Sequence, residues 1–463
     1  MPTNPALREC DIRGPCGEQV TAPLFALAGR NFARALATRR FPRMSPGTVV
    51  VGGDGRRSTP ELRAALVEGL VACGASVFDA PGPLPTPALY WLRDTLRAQG
   101  VAIVTASHSP PDWNGLKIMN GPSPPTPKDV AALATEPPAP ATRNGNRHVV
   151  EHTIDLYIAA RIGAFSARGL SGLPVVVDPG CGCQAGVATR AFAELDAQVT
   201  PLHDAIDPEF RGRHPDSAVP RHLTALAAKV LETRAAIGVA FDGDGDRLAI
   251  VDDRGRFVAA EKVAMLLIEG PLALQPQDVV VLDVKASMQL ERAVTRRGGI
   301  AVRSRSGHAY IKRVVMGRNA VLGSEVSGHL FFGALNGIDD PLHAALLLTQ
   351  WLVDGHGPLS ERIDALPVFH LSPDLRLKIP AWDIDQLLAS LPERFAGAEI
   401  ERIDGVRIVW PEGWMLARRS ITEPVLTLRF EGVDAPSLQA IRQRFVAAYP
   451  ALRVAVEDAA ARF

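Results

Sequence analysis

Asp242, Asp244 and Asp246 alternate with Gly243 and Gly245, and Arg247 closes the run. Three carboxylates this close repel one another, and the glycines let the chain curl until all three face one centre. Such a set asks for a hard divalent cation, Mg²⁺ or Ca²⁺. An EF-hand loop also opens on alternating acids. It needs glycine at its sixth position and glutamate at its twelfth, where this chain has Arg247 and Asp253. Three protein carboxylates leave coordination positions open, which suits Mg²⁺ shared with a phosphate.

A second group, Thr105-Ala106-Ser107-His108-Ser109, follows the apolar run Val101 to Val104. It puts a hydroxyl and an imidazole at the C-terminal end of a buried strand, where open α/β sheets bind ligands. Serine is a poor nucleophile without activation or a cation to stabilise developing charge. No Gly-x-Ser-x-Gly elbow surrounds Ser107 and the chain has no Gly-rich P-loop, which argues against a serine hydrolase and a nucleotide kinase. A cation clamped on a phosphorylated serine would make the phosphoryl group transferable. Pro110, Pro111 and the pair Asn114-Gly115 predict that the chain beyond this loop stays out of regular structure.

Two further loops fit that chemistry. In Gly323-Ser324-Glu325-Val326-Ser327-Gly328-His329, Glu325 and Ser327 offer partners for vicinal hydroxyls of a sugar. In Arg418-Arg419-Ser420-Ile421-Thr422-Glu423-Pro424, guanidinium forks and hydroxyls suit phosphate oxygens. Taken alone, each also fits a solvated polar loop. Asp404-Gly405-Val406-Arg407, Arg13, Lys117, Lys285 and His308 add candidate anion contacts.

The elements that must position these loops come in three segments of one pattern. Thr48–Gly52, Ala75–Phe78 and the run ending at Thr105 are predicted strands, with a helix over Glu61–Cys73. Leu173–Asp178, Gln198–Pro201 and Ala236–Phe241 repeat the pattern around a helix at Val187–Leu195. Val279–Val284, Ile300–Arg303 and Ala320–Leu322 do so around Met288–Arg297. Alternating strands and helices imply parallel, right-handed β-α-β units. The remainder, with strands at Leu375–Ile379, Ile403–Trp410, Leu416–Ser420 and Val425–Phe430, reads as a smaller α+β unit with an antiparallel sheet. The fold class is therefore α/β, with three similar mixed α/β domains and a C-terminal α+β domain around a central cleft. Residues 1–150, 151–254, 255–368 and 369–463 are the expected units. Gly121–Asn146, Asp253–Gly255 and Asp364–Asp374 are the expected linkers, with a short helix over Lys128–Ala134.

Composition narrows the partners. The 463 residues carry 50 basic and 50 acidic side chains, with 47% hydrophobic and 22% charged residues. No basic excess calls for nucleic acid or an anionic membrane, so an anionic ligand must be met by local charge. No apolar run approaches the roughly 20 residues of a membrane span. Cys10, Cys16, Cys73, Cys181 and Cys183 form no disulfide or zinc framework. The expected compartment is the cytoplasm.

Together and in order, these loops resemble the α-D-phosphohexomutase family, nearest its bacterial phosphomannomutase/phosphoglucomutase branch. Thr105 to His108 resembles the family's phosphoserine loop, Asp242 to Arg247 its metal loop, Glu325 to His329 its sugar loop and Arg418 to Pro424 its phosphate loop. Asp11-Ile12-Arg13-Gly14, Pro85-Thr86-Pro87 and Asp404 to Arg407 match as well. The resemblance implies one Mg²⁺ per chain, held by Asp242, Asp244 and Asp246 against phosphorylated Ser107. A hexose monophosphate would be the substrate, and glucose or mannose 1,6-bisphosphate the intermediate and activator. Arg13, Lys285, Glu325, Ser327, Arg418, Ser420 and Thr422 would bind substrate. His108, Lys117, Arg247, His308 and His329 would be catalytic. A monomer or weak homodimer is implied. The departures are Cys10, Gly53, Ser109, Ser324 and Ile421. Phosphoglucosamine mutase and a catalytically silent phosphosugar-binding homologue are the alternatives.

Overall fold

The computed structural model describes residues 4–140, 145–165, 169–379, 381–420 and 425–461, which build four sheets in succession. The first runs in the order Ile12–Pro15, Trp113–Asn120, Ala98–Val104, Ser45–Gly53, Ser76–Pro83, Asn146–Val149. Its last four strands are parallel, and the first two are antiparallel additions. Every position of Ala98–Val104 is buried, because helices cover both faces of the sheet. Val49 and Val51 pack towards the helices Ala22–Thr38 and Thr59–Ala72, while Val50 packs with Leu89 of the helix Thr86–Thr95.

The second sheet orders Phe257–Val258, Leu248–Asp252, Ile237–Phe241, Pro174–Asp178 and Gln198–Pro201. The third orders Ile300–Ser304, Val279–Asp283, Leu322–Ser324, Leu330–Phe332 and Ile338–Asp339. Each keeps the expected parallel pairing at its centre. In each of the three sheets, however, one late strand returns through an antiparallel partner instead of a helix. The loops at 105–112, 242–247 and 325–329 are the tips of those returns. The fourth sheet is wholly antiparallel, as expected, and packs on the helices Ala381–Arg394 and Ala435–Ala448.

Three local expectations are corrected. Asn114 and Gly115 do not form a turn but lie inside the strand Trp113–Asn120. Asn114 donates its amide hydrogens to the Ser58 and Thr59 hydroxyls, and a Cβ on Gly115 would lie 2.1 Å from the Ile12 carbonyl oxygen. The glycine serves a close approach of two strands. The segment from Gly121 is not a free linker. Its helix Pro127–Thr135 packs on Ala22–Thr38, and Asn31 donates to the carbonyls of Leu133 and Glu136, each at 3.1 Å. Asp253–Gly255 is a hairpin turn within the second sheet, since Phe257–Val258 pairs with Leu248–Asp252.

The second and third sheets share one hydrophobic core, in which Val175, Val239 and Phe241 join Val280, Leu282, Leu290 and Leu346. The fourth sheet is keyed to the third by Glu431. This buried carboxylate accepts from the Met288 amide at 2.7 Å, from the indole of Trp414 at 2.6 Å and from the Ser287 hydroxyl. It thereby satisfies the first turn of the helix Met288–Arg296, where a negative charge is favoured.

Candidate active site

The apolar strand Ala98–Val104 delivers Ser107 into a loop held from below by one arginine. Arg56 is buried and ion-paired with Asp54 at 2.9 Å. It donates to the carbonyls of Ser107 and Ser109, both at 2.7 Å, to that of Trp113 at 3.0 Å and to that of Pro110. Thr105 adds a hydroxyl bond to Asp54 at 2.8 Å. Ser107 itself sits at φ +52°, in the left-handed region that non-glycine residues avoid. So fixed, its Oγ donates to Asp242 Oδ2 at 2.8 Å and lies 3.2 Å from His108 Nδ1. Burial, then the charges of Arg247 and Arg13, push the His108 pKa well below the ordinary imidazole value.

The three aspartates of the 242–247 loop are all buried, and one oxygen from each can be chosen so that the set lies within 4.8 Å. Asp242 Oδ1 accepts from the Asp246 and Arg247 amides at 3.1 and 3.2 Å, which curls the loop. Lys117 and Thr86 approach from the first sheet's unit. Lys117 Nζ donates to Asp244 and Asp246, and the Thr86 hydroxyl donates to Asp244, each at 2.7 Å. Asp244 Oδ1 and Asp246 Oδ1 remain without a hydrogen-bond partner among the described residues. Burial, reinforced by Asp246 and Asp244, raises the Asp242 pKa to about 7. Burial acts the same way on Asp244, but Lys117 outweighs it and holds that carboxyl below its usual range. Orphaned carboxylate oxygens among three crowded, buried aspartates fit a hard divalent cation at this point.

The loop at 325–329 reaches this centre through His329. Its Nδ1 lies 3.0 Å from Asp339 Oδ2, and Arg247 donates to its Nε2 at 3.1 Å. The ring proton therefore faces Asp339. Burial opposes protonation of His329, but Asp246 and Asp339 outweigh it and raise the pKa. His308 begins the helix His308–Arg318, with its ring centroid 5.9 Å from that of His329 and its Nε2 unpartnered among the described residues. Glu325 Oε2 and Ser327 Oγ are buried and likewise unpartnered, so both are open to a ligand's hydroxyls.

The remaining sequence candidates lie further out. Arg13 pairs with Asp11, while its Nε stays without a hydrogen bond among the described residues. Lys285 pairs with Asp374 at 3.1 Å. Arg418 pairs with Asp404 at 2.9 Å, and Ser420 is buried beside it in sequence, its amide donating to the Val425 carbonyl. Thr422 and Ile421 lie outside the described residues. The sequence reading missed Arg56, Asp54, Thr86 and Asp339 as site residues. Asp54-Gly55-Arg56 follows a predicted strand, and that position at a strand's C-terminal end was the available signal. Asp339 carried none.

Comparison with known proteins agrees with this arrangement. Four successive family descriptions match the chain: phosphoglucomutase/phosphomannomutase alpha/beta/alpha domains I, II and III at residues 5–136, 155–255 and 260–369, and the C-terminal domain at 380–448. A phosphomannomutase/phosphoglucomutase of Pseudomonas aeruginosa is 33% identical over 96% of both chains. A probable phosphoglucosamine mutase of Methanothermobacter thermautotrophicus is 30% identical over 94% of this chain and 95% of its own. The crystal structure of a phosphoglucomutase/phosphomannomutase family protein from Burkholderia thailandensis superposes with a TM-score of 0.88 at 33% identity, covering 98% of each chain. Sheet order, loop chemistry and full-length similarity thus converge: the chain belongs to the phosphoglucomutase/phosphomannomutase family, the α-D-phosphohexomutases.

Proposed function

We propose that the protein interconverts the 1- and 6-phosphates of glucose and mannose by two phosphoryl transfers through Ser107. The observation that carries this reading is the placement of Ser107 Oγ 2.8 Å from the first carboxylate of the three-aspartate loop. Asp242, Asp244 and Asp246 would hold Mg²⁺, which when bound offsets negative charge on the phosphoryl group being transferred. In the first transfer a sugar hydroxyl oxygen bonds to the phosphorus of phosphorylated Ser107 and the Oγ–P bond breaks. His329, oriented by Asp339, accepts the hydroxyl proton. The resulting bisphosphate turns over, and its other phosphate returns to Ser107 by the reverse chemistry. Lys117 and Arg247 spread positive charge around the transfer, with the neutral rings of His108 and His308 beside it. Glu325 and Ser327 bind the sugar hydroxyls, while Arg13, Lys285, Arg418, Ser420 and Thr422 take the idle phosphate.

The four units, divided near residues 150 and 368 and, because the hairpin at 253–255 belongs to the second sheet, just after Val258, each contribute one loop. Glucose or mannose 1,6-bisphosphate is the activator, and a cytoplasmic monomer or weak homodimer completes the reading. Among the described residues no helix is long and apolar enough to cross a membrane.

Incubation with glucose 1-phosphate, Mg²⁺ and a trace of glucose 1,6-bisphosphate yields glucose 6-phosphate on this reading. Ser107→Ala keeps the fold and loses turnover by roughly a thousandfold or more. No product from glucose or mannose phosphates refutes it. The Methanothermobacter relative supports a second reading, glucosamine phosphates, which turnover of glucosamine 6-phosphate against mannose 6-phosphate separates.

A further inference from the structure

Asp404 lies against Arg418 by construction of the backbone. Gly405 follows it at φ +78°, and a Cβ there would come within 2.3 Å of the Ala417 carbonyl oxygen and 2.6 Å of Arg418 Cβ. Only glycine fits, so the turn is pressed onto the strand Gly413–Arg419 that carries the guanidinium. Asp404 is 8% exposed and Arg418 5%. The carboxylate oxygen Oδ2 sits 2.9 Å from Arg418 Nη2, yet Nε and Nη2 of Arg418 make no hydrogen bond among the described residues. Arg418 is thus charge-compensated while these two donors remain available.

The same Asp404 oxygen accepts from the Ser306 amide at 3.3 Å. Ser306 is anchored in turn through its hydroxyl to Asp283 at 2.6 Å, and the loop Ser306-Gly307 leads directly into His308. One carboxylate therefore ties the phosphate-clamp arginine of the fourth unit to the loop of the third that presents His308. Lys285 is compensated in the same way by Asp374.

We propose that Asp404 is the resident counter-ion of the phosphate clamp, a positioning residue that seats Arg418 when no phosphate is bound and competes with the phosphate when one arrives. The proposal rests on Arg418 being the clamp. A bisphosphate that must turn over between two transfers has to leave its clamp in every cycle, so tighter holding of ground state and transition state alike would gain no rate. A carboxylate beside the guanidinium weakens the grip by like-charge repulsion and gives Arg418 a partner the moment the phosphate departs.

The test is binding of inorganic phosphate to the full chain by calorimetry, paired with steady-state kinetics on glucose 1-phosphate. Asp404→Asn binds phosphate about fivefold more tightly, lowers KM and lowers kcat because release slows. Asp404→Ser shifts binding in the same direction, and Asp404→Glu returns both constants towards wild type. A purely structural role would raise KM and weaken phosphate binding together. Phosphate binding that is unchanged or weaker in Asp404→Asn, in a variant melting like wild type, overturns the proposal. If Arg418→Ala loses phosphate in that case, the clamp stands and only the role of Asp404 falls. If Arg418→Ala binds phosphate as wild type does, the clamp reading and the proposal fall together.

Discussion

Lys117 Nζ lies 2.7 Å from Asp244 Oδ2 and 2.7 Å from Asp246 Oδ2, so a strand of the first sheet supplies the cation that lets the second sheet's loop hold three buried carboxylates. Burial alone would lower the lysine's pKa, but the two aspartates raise it well above its ordinary value, and it stays charged. Lys117→Met leaves those charges unpaired. In chelator it costs about 3–5 kcal/mol of stability, and Mg²⁺ restores part of the loss. Denaturant unfolding with and without Mg²⁺ measures both, and an equal loss in the two conditions contradicts the shared charge balance.

Cation binding is expected to depend on pH through Asp242. Its pKa in the cation-free fold, about 7, lies above the ordinary carboxyl value, so below that pH the group carries a proton. A cation needs the ionised form. Affinity for Mg²⁺ therefore falls as pH drops below about 7, and binding at pH 6 releases a proton. Calorimetry in two buffers of unlike ionisation heat reads that proton directly. Identical heats would remove Asp242 from the ligand set.

Asp339 meets His329 Nδ1 at 3.0 Å, with a carboxylate oxygen also within 4.8 Å of one from Asp246, and it fixes which ring nitrogen carries the proton. Asp339→Asn is expected to lower kcat by roughly a hundredfold or more with little change in KM, as loss of an orienting carboxylate does elsewhere. It also unpairs Lys312, whose Nζ lies 3.2 Å from Asp339 and 3.4 Å from the Tyr90 ring centroid. A shifted pH–rate profile distinguishes lost orientation of His329 from this structural effect, which moves the melting temperature instead.

His343 gives an acid-sensitive term remote from the site. It packs edge-on to Phe332, with ring centroids 4.8 Å apart, and burial lowers its pKa from 6.5 to about 4. The unfolded chain binds this proton more readily, so stability present above pH 6.5 is lost as pH falls towards 4, by roughly 2 kcal/mol at pH 5. In His343→Gln the decline in melting temperature between pH 7 and 5 is shallower. An unaltered decline removes His343 as the cause.

Much of the architecture was legible because it is written locally. Apolar runs such as Val279–Val284 have no role but a covered strand, and the alternating acids of 242–246 have few uses besides a cation. What escaped depends on partners distant in sequence. Asn114-Gly115 carries the strongest turn signal in its stretch, but Ile12–Pro15 pairs alongside and converts it into strand. Arg56 was not singled out, because its role rests on four carbonyls from residues 107 to 113 that only the fold brings around it. Asp339 and Asp404 matter through single contacts with His329 and Arg418 made across elements. No periodicity announces such pairs.

The continuous core beneath the second and third sheets has a consequence for how sugar preference can diverge among relatives. Exchanging the third domain alone would cut through Phe241, Leu282 and their neighbours and expose a mismatched oily seam on both halves. The smallest transplantable block that carries Glu325, Ser327 and His329 is therefore the middle pair of domains taken whole. Single substitutions at the loop tip, which leave that seam untouched, are the easier route to a new substrate.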